Sequence, residues 1–293
     1  MESLIFVVTE NPKFFFKLNK GLLKYKIRFK ILNLGERIPN IKSIILTTKE
    51  ELKSLGEFNQ NKSLVIPYEK DNGFKEYILN VLTAYKLGDL NFKSLAFSID
   101  PGTKRFGLCV FVNDYFLNSH TVFNKGDLIN KLTLYLKAIN IYKEKGEEIK
   151  YNFKIGRGMG VLSTTKAILK GIFSLFDQLE NVDIFLVDES KSSKIQIYDN
   201  GKRFPKHEAS ALILALRKGI KVEQENYIEK INKIKKKQIG REDFLQQKQE
   251  IIYLNKNKTD FEDLFRQIIS ADISISDSIR FIIQHSKQVS QIS

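Results

Sequence analysis

Two acidic positions follow apolar runs directly, where a folded chain would hold them at the edge of a sheet. Asp100 ends the run SLAFSID, and the Pro101 and Gly102 that come next predict a turn. Asp188 and Glu189 close the run DIFLVDE. Carboxylates at strand ends suit a hard cation such as Mg²⁺ or Mn²⁺. The alternatives without a functional role are that Asp100 only caps a turn, and that Asp188 and Glu189 are ordinary polar residues of a surface loop.

A histidine and a glutamate begin the most apolar of the predicted helices. The segment KHEASALILAL (206–216) is almost wholly apolar from Ala209 onward, so it is expected to pack broadly against a sheet. His207 lies on the packing face, and Glu208 points about a third of a turn away. A histidine here serves as a metal ligand or proton shuttle, or it is simply a polar residue in the first helical turn.

These residues fall on a regular succession of predicted elements. Three strands with short breaks predict antiparallel hairpins, after which helices and further strands alternate. The predicted strands are 94–100, 106–112, 116–123, 151–156 and 183–188, and the predicted helices are 126–144, 163–179 and 206–218. Glycines 156, 158 and 160 predict a flexible loop, and Gly219 is the expected cap of the last helix. This is the order of elements of an RNase H-like fold, a mixed sheet with flanking helices.

The flanking segments have different patterns. Apolar runs at 3–9, 27–32, 42–48 and 62–68 alternate with helix-like stretches at 11–25, 49–57 and 73–88, which predicts a mostly parallel sheet without a Gly-rich phosphate loop. Residues 223–293 are charged and helical in pattern, and they include the basic run 230–241. The sequence therefore predicts a small α/β domain (1–93), an RNase H-like domain (94–222) and a charged helical extension (223–293).

The composition favours an anionic partner. Lysine and arginine number 48 against 34 acidic residues, which gives a formal net charge of +14, and nucleic acid is the commonest polyanion for a soluble chain. A lysine-rich surface kept for solubility explains the excess nearly as well. No apolar run reaches the roughly eighteen residues of a membrane helix, so no membrane partner is expected. Cys109 is the only cysteine, which excludes an intramolecular disulfide and fits the cytoplasm.

Four segments, taken in order, resemble one family of RNase H-like proteins. IDPGTKRFGLCVF closely resembles the first-strand motif of the RuvC/YqgF family, in which an aspartate opens a hairpin. YNFKIGRGMG, FLVDES and KHEASALILAL resemble the strand-then-glycine segment, the DE-containing segment and the final helix of the YqgF branch. The resemblance covers about residues 96–219 and is closer to YqgF than to RuvC.

The resemblance implies a nuclease that hydrolyses phosphodiester bonds with the help of two divalent ions, Mg²⁺ or Mn²⁺, which Asp100 is expected to bridge. Asp100 takes the place of the first metal-binding aspartate, and Glu189 takes that of the glutamate in the DE segment. His207 falls where the family usually has aspartate, so the third ligand is either His207 or its neighbour Glu208. Ser210 falls where the RuvC branch has a further acid.

The expected substrate is DNA or RNA with branched or folded structure, such as a Holliday junction. Lys104, Arg105 and Arg157 are expected to neutralise phosphates near the metals. The cations of the basic run, Lys235, Lys236 and Lys237, either track a phosphate backbone or solvate a helix face. The alternative function is nucleic-acid binding on an RNase H-like scaffold that has lost catalysis. A kinase of the actin-like ATPase group is disfavoured because no second phosphate loop is found, and whether the chain forms a homodimer stays open.

Overall fold

The computed structural model describes residues 4–70, 73–143, 148–176, 181–190, 192, 195–199, 201–234 and 258–291. Backbone contacts divide the chain into a first unit, 1–91 with 132–145, and a second unit, 92–131 with 146–293. The domain boundaries at 93 and 222 stay predictions, because compact units and independently folding domains need not coincide.

The first unit is built on four parallel strands, as the sequence predicts. In spatial order they are β2 (Lys30–Leu32), β1 (Leu4–Val8), β3 (Ser43–Thr48) and β4 (Ser63–Tyr68). Two helices accompany them, α1 (Pro12–Lys24) and α2 (Phe74–Leu87). The Asn11 side chain accepts a hydrogen bond from the Phe14 N–H, which caps the start of α1.

The prediction of a helix at 49–57 is wrong. Only the single 3₁₀ turn Leu52–Ser54 forms there. The main chain of the segment bonds instead to the loop 35–38, with the Ile38 N–H donating to the Glu57 carbonyl at 3.0 Å. A tertiary backbone partner has replaced the hydrogen bonds that a short helix would make within itself, and short helices have little stability of their own.

The second unit contains a six-stranded mixed sheet. In spatial order its strands are β12 (Ile220–Val222), β9 (Val182–Asp188), β8 (Lys150–Arg157), β5 (Ser94–Pro101), β6 (Phe106–Val112) and β7 (Tyr115–Val122). Strands β5, β6 and β7 pair antiparallel, β8 and β9 lie parallel to β5, and β12 returns antiparallel to β9. The predicted order of elements is confirmed, and this unit has the RNase H-like α/β fold.

Within the described residues, the helices that follow α2 lie close to the ranges predicted for them. They are α3 (Lys125–Asn140), α4 (Leu162–Phe176), α5 (Lys206–Leu216), α6 (Tyr227–Ile234), α7 (Lys258–Ile269) and α8 (Ile275–Gln291). A two-residue hairpin, β10 (Tyr198–Asp199) and β11 (Lys202–Arg203), was not predicted. The helical character predicted for 223–293 is confirmed in α6, α7 and α8.

Two glycine assignments need correction. The predicted loop at Gly156 begins later, because Gly156 and Arg157 complete β8 and pair with β9. Gly219 is not the cap of α5: the helix ends at Leu216, and the following residue is extended with φ −90° and ψ 150°. A Cβ on Gly219 would lie 2.7 Å from the Phe185 Cβ, so this glycine permits a close approach to β9.

The core of the second unit joins the sheet, α5 and the C-terminal helices. Buried apolar residues of β6 and β7 contact the Ala- and Leu-rich body of α5, and Phe261, Leu264, Phe265 and Ile268 of α7 extend this cluster. The C-terminal segment therefore contributes to the same apolar core as α5. Among the described residues, every helix is too short or too polar to traverse a bilayer.

Candidate functional site

Three parallel strands end at one edge of the six-stranded sheet, and their last residues are polar. Strand β5 ends with Asp100 and Pro101, β8 with Arg157, and β9 with Asp188, which Glu189 follows. Parallel strands present their carboxyl ends at a common edge, and this is where α/β sheets bind ligands. The apolar residues that precede each end are buried, so the strand positions are held by the core.

The first turn of α5 is brought against β6 by a glycine. A Cβ on Gly107 would lie 1.9 Å from the His207 carbonyl oxygen, so any other residue would push the helix away. Ser98 Oγ donates to a carbonyl of α5 at 2.6 Å, and Cys109 Sγ donates to the Glu208 carbonyl at 3.3 Å. These contacts fix the start of α5 over β5 and β6.

This placement joins His207 to Asp100. The distance from His207 Nδ1 to Asp100 Oδ2 is 3.2 Å. Asp100 is only 8% exposed, and burial raises the pKa of its carboxyl above the ordinary value. The hydrogen bond and charge of His207, and the charge of Lys206, partly offset this rise in pKa. The Asp100 carboxylate is thus rigidly held and only partly neutralised.

The Glu189 carboxylate occupies a space that two glycines leave open. A Cβ on Gly156 would lie 2.8 Å from Glu189 Oε1, and a Cβ on Gly158 would lie 2.8 Å from Glu189 Oε2. Oε1 is buried, and no described residue donates a hydrogen bond to it. Burying a carboxylate oxygen without a donor is costly, so this atom marks a place where a positive ligand would be stabilising.

The electrostatics of Glu189 connect it to Asp100. Burial, followed by the charges of Asp100 and Asp188, raises the pKa of Glu189 to about 8. Asp188 itself accepts a hydrogen bond from the Ser190 N–H at 2.9 Å, in the manner of an Asx turn. Of the two adjacent acids, Asp188 closes a turn and Glu189 fills the space beside β8.

Glu208 is directed away from this edge. Its two carboxylate oxygens accept hydrogen bonds from Ser119 Oγ and from Thr121 Oγ1, the latter at 2.8 Å, both on β7. The structure therefore brings His207, and not Glu208, to Asp100. Ser210 is buried, at 2% exposure.

The predicted basic residues are placed differently from one another. Lys104 and Arg105 are exposed in the turn between β5 and β6, whereas Arg157 is buried at the end of β8. The Arg105 guanidinium lies 5.5 Å from the centroid of the Phe123 ring, which is 63% exposed. An exposed aromatic ring beside an arginine was not singled out in the sequence. Lys235, Lys236 and Lys237 lie outside the described residues.

The ligand set at this edge suits one cation better than two. In the described part of the chain, no three His, Cys, Asp or Glu side chains are grouped closely enough to enclose a metal ion. Asp100 and Glu189 supply two hard oxygen ligands, and divalent cations such as Mg²⁺ complete their shells with water and substrate phosphate. The unbonded oxygen of Glu189 and the partly neutralised Asp100 therefore fit a single, open divalent site.

Comparison with known proteins adds little to this geometry. No protein family and no curated protein matches the sequence. Among solved structures, the chain is similar to the AGO MID-PIWI domains of N. crassa QDE-2, with 11% identity over 64% of this chain and 73% of the other and a TM-score of 0.28. It is also similar to the Aquifex aeolicus member of the Ppx/GppA family, with 10% identity, coverage of 69% and 68%, and a TM-score of 0.13. With both TM-scores below 0.5, neither likeness bears on function, and the fold assignment rests on the strand order.

Proposed function

We propose that the protein is a divalent-metal-dependent nuclease that acts on structured DNA or RNA, with Asp100 and Glu189 as the ligands of Mg²⁺ or Mn²⁺. The observation that carries the proposal is the pair of neighbouring carboxylates at the sheet edge, both with raised pKa and one with a buried oxygen that no described residue satisfies. Perturbed carboxylates grouped at such an edge are typical of functional sites.

The residues present fit a cation because the two carboxylates are only partly compensated by positive charge. The two carboxylates repel each other because both are partly buried, and among the described residues the cationic groups that lower the pKa of Asp100 are His207 and Lys206. A divalent ion bound here would act as a Lewis acid towards a phosphoryl oxygen.

The remaining residues of the edge have supporting roles in the proposal. Asp100 is held by the end of β5 and by His207, so it presents its oxygens in a fixed direction. Lys104 and Arg105 are exposed on the adjoining turn, where they can attract the phosphates on either side of the one to be cleaved. The His207 side chain is one-third exposed, and its Nδ1 lies 3.2 Å from Asp100 Oδ2, so the proposal assigns it the transfer of a proton at this edge.

A second candidate function is nucleic-acid binding without hydrolysis. It is favoured by Glu208, whose two oxygens are engaged by Ser119 and Thr121 and so do not complete an acidic triad. In this case the fold and the basic residues are retained, and the site holds metal too weakly for catalysis.

The test is cleavage of four-way DNA junctions and of folded RNA in Mg²⁺ and in Mn²⁺. Asp100→Asn and Glu189→Gln each remove one charged ligand at nearly constant volume, and each should slow cleavage by about 100-fold or more, since a metal contributes several kcal/mol to phosphoryl transfer. Asp188→Asn is the matched control, because it makes the same chemical change one residue away in a turn, and it should cleave at the wild-type rate.

Two results would contradict the proposed nuclease. The first is wild-type cleavage by the Asp100→Asn or the Glu189→Gln variant. The second is a wild-type chain that binds these substrates but cleaves none of them in either metal, which establishes the binding function instead. Mn²⁺ titration sharpens the outcome, because the nuclease requires millimolar or tighter binding that Glu189→Gln weakens and Asp188→Asn leaves unchanged.

A further inference from the structure

The exposed side of α1, in the first unit, is unusually basic. The helix buries Phe14, Leu18 and Leu22 and exposes the opposite side. The exposed residues recur at helical spacing, and they are Lys13, Phe16, Lys17, Lys20, Leu23 and Lys24. The four lysines of this set are called the lysine face below. They belong to the stretch 11–35, which contains seven cationic residues and no acidic one. The charge of this stretch, +7, is half of the net charge of +14.

The lysine face works against the stability of its own helix. Lys13 and Lys17, and again Lys20 and Lys24, stand four residues apart, so they repel each other across single turns. Lys13 also lies in the first turn, where the helix dipole disfavours positive charge and where no acidic residue is present. Within the described residues, none of the four lysines takes part in an ion pair. A helix face kept only for solubility usually mixes charges of both signs.

An aromatic ring borders these lysines. Phe16 is 72% exposed, although a phenylalanine of α1 two residues earlier, Phe14, is buried and stacks on Tyr68. Cations that follow a phosphate backbone, combined with an exposed ring on which a base can stack, are the two elements by which proteins hold single-stranded nucleic acid. Duplex DNA offers phosphates alone to such a surface, because its bases are already stacked on one another.

We propose that the lysine face of α1, together with Phe16, binds single-stranded DNA or RNA, with the phosphates on the lysines and an unpaired base on the ring. This goes beyond the proposed nuclease function, because it assigns a second nucleic-acid surface on the other unit of the chain. An acidic membrane fits less well: a helix that binds a bilayer inserts its apolar face, and here that face is already in the core of the first unit.

The experiment measures binding of the full chain to a labelled 20-nucleotide single strand, to the blunt duplex of the same sequence, and to phosphatidylserine vesicles. EDTA is present throughout, so metal-dependent cleavage does not contribute and failure of the nuclease proposal leaves this test unaffected. One variant replaces Lys13, Lys17, Lys20 and Lys24 by Gln. The matched control replaces four exposed lysines elsewhere, Lys53, Lys62, Lys93 and Lys170, by Gln, with the same loss of net charge.

The lysine-face variant should bind the single strand at least about tenfold more weakly at low salt. Its slope of log affinity against log salt should be shallower by up to about 3, at roughly 0.7 for each phosphate that is no longer neutralised. The control variant should stay within twofold of the wild type. Equal weakening by the two variants would show that only net charge matters and would overturn the proposal. Loss of vesicle binding with unchanged binding of the single strand would overturn it as well.

Phe16 provides an independent variant that leaves the charge untouched. Phe16→Ala should weaken binding of the single strand by about 5-fold to 100-fold, the range for loss of one stacked base. The duplex affinity should not change, and Phe16→Tyr should retain the wild-type affinity for the single strand. Equal affinities of Phe16→Ala and wild type for the single strand, or equal losses on strand and duplex, would contradict the stacking role.

Discussion

Two glutamates at corresponding edges of the two sheets are in opposite situations. Glu51 follows β3 in the first unit and accepts hydrogen bonds from Thr9 Oγ1 at 2.6 Å, from Thr48 Oγ1 at 2.8 Å and from the Glu10 N–H at 2.8 Å. Burial alone would raise its pKa, but these donors outweigh burial and lower the pKa below the ordinary value. Glu189 follows β9 in the second unit, and its pKa is raised to about 8.

The difference lies in the donors that the surrounding chain supplies. Hydroxyl and amide groups that surround Glu51 stabilise its charged form, so this carboxylate ties the ends of two strands together. Glu189 has glycines as neighbours, which provide space without side-chain donors, and it has a second carboxylate nearby. A carboxylate at a sheet edge therefore has a structural role where protein groups donate hydrogen bonds to it. It is a candidate metal ligand where such donors are lacking.

The pH dependence of stability should separate the two glutamates most clearly. Glu189 has a folded-state pKa of about 8, well above the ordinary value of 4.5, so the folded protein keeps a proton that the unfolded chain releases. The stability linked to this proton is complete below about pH 4.5 and is lost as the pH rises through about 8, with a total of up to roughly 5 kcal/mol. Glu51, with its lowered pKa, contributes stability that is lost only as the pH falls into the acid range.

Urea unfolding in EDTA between pH 5 and pH 8 measures this dependence. The wild-type free energy of unfolding should fall across the range, and Glu189→Gln should remove most of the fall because glutamine does not titrate. Asp188→Asn removes only the smallest of the three contributions to the raised pKa of Glu189, so this variant should keep most of the fall. Parallel curves for the wild type and Glu189→Gln would mean that Glu189 is not protonated in the folded state.

Removal of the two glutamates should have different costs near neutral pH. Glu51→Ala breaks four hydrogen bonds to a charged group and should lower the free energy of unfolding by ~2 kcal/mol. Glu189→Gln removes a buried carboxyl that must take up a proton when the chain folds at neutral pH, so it should leave stability unchanged or increase it. Glu50→Ala, at the exposed neighbouring position, is the control for the first change. If Glu189→Gln lost as much stability as Glu51→Ala, the proposed difference between a structural Glu51 and a ligand-binding Glu189 would be wrong.

The smallest expected effect is stabilisation by metal. For a site with millimolar affinity, 10 mM Mg²⁺ should raise the free energy of unfolding by ~1.4 kcal/mol, since ligands that bind only the folded state stabilise it. Glu51→Ala should keep this increment, and Glu189→Gln should lose it. Thermal unfolding with and without Mg²⁺ at constant ionic strength measures the increment. Equal increments in all three proteins would place the bound metal elsewhere.

The positions of Asp100 and Glu189 can be inferred from sequence because each lies at the end of an apolar run whose short length and flanking turn residues favour a buried strand. The same holds for the order of strands in the second unit, since short breaks demand hairpins and longer polar stretches allow crossovers. What a neighbouring residue contacts is a different matter. Glu208 bonds to Ser119 and Thr121 because of the pairing register of β6 and β7, and helical spacing contains no information on that register.

Tertiary backbone contacts explain the other differences. Leu52, Leu55 and Phe58 have helical spacing, yet the segment pairs with the loop at 35–38 and stays irregular. Gly156 and Gly158 suggest a flexible loop when only local preferences are considered. Their role as the space for Glu189 depends on the close approach of β9, which local sequence does not specify.

The single cysteine gives this fold a built-in reporter of its motions. Cys109 is fully buried under α5, and burial raises the pKa of its thiol well above the ordinary value, so the native state holds it as an unreactive thiol. A disulfide reagent can therefore modify the chain only when α5 lifts from β6. The labelling rate of the unmodified protein then records how often the helix that carries His207 separates from the sheet that carries Asp100.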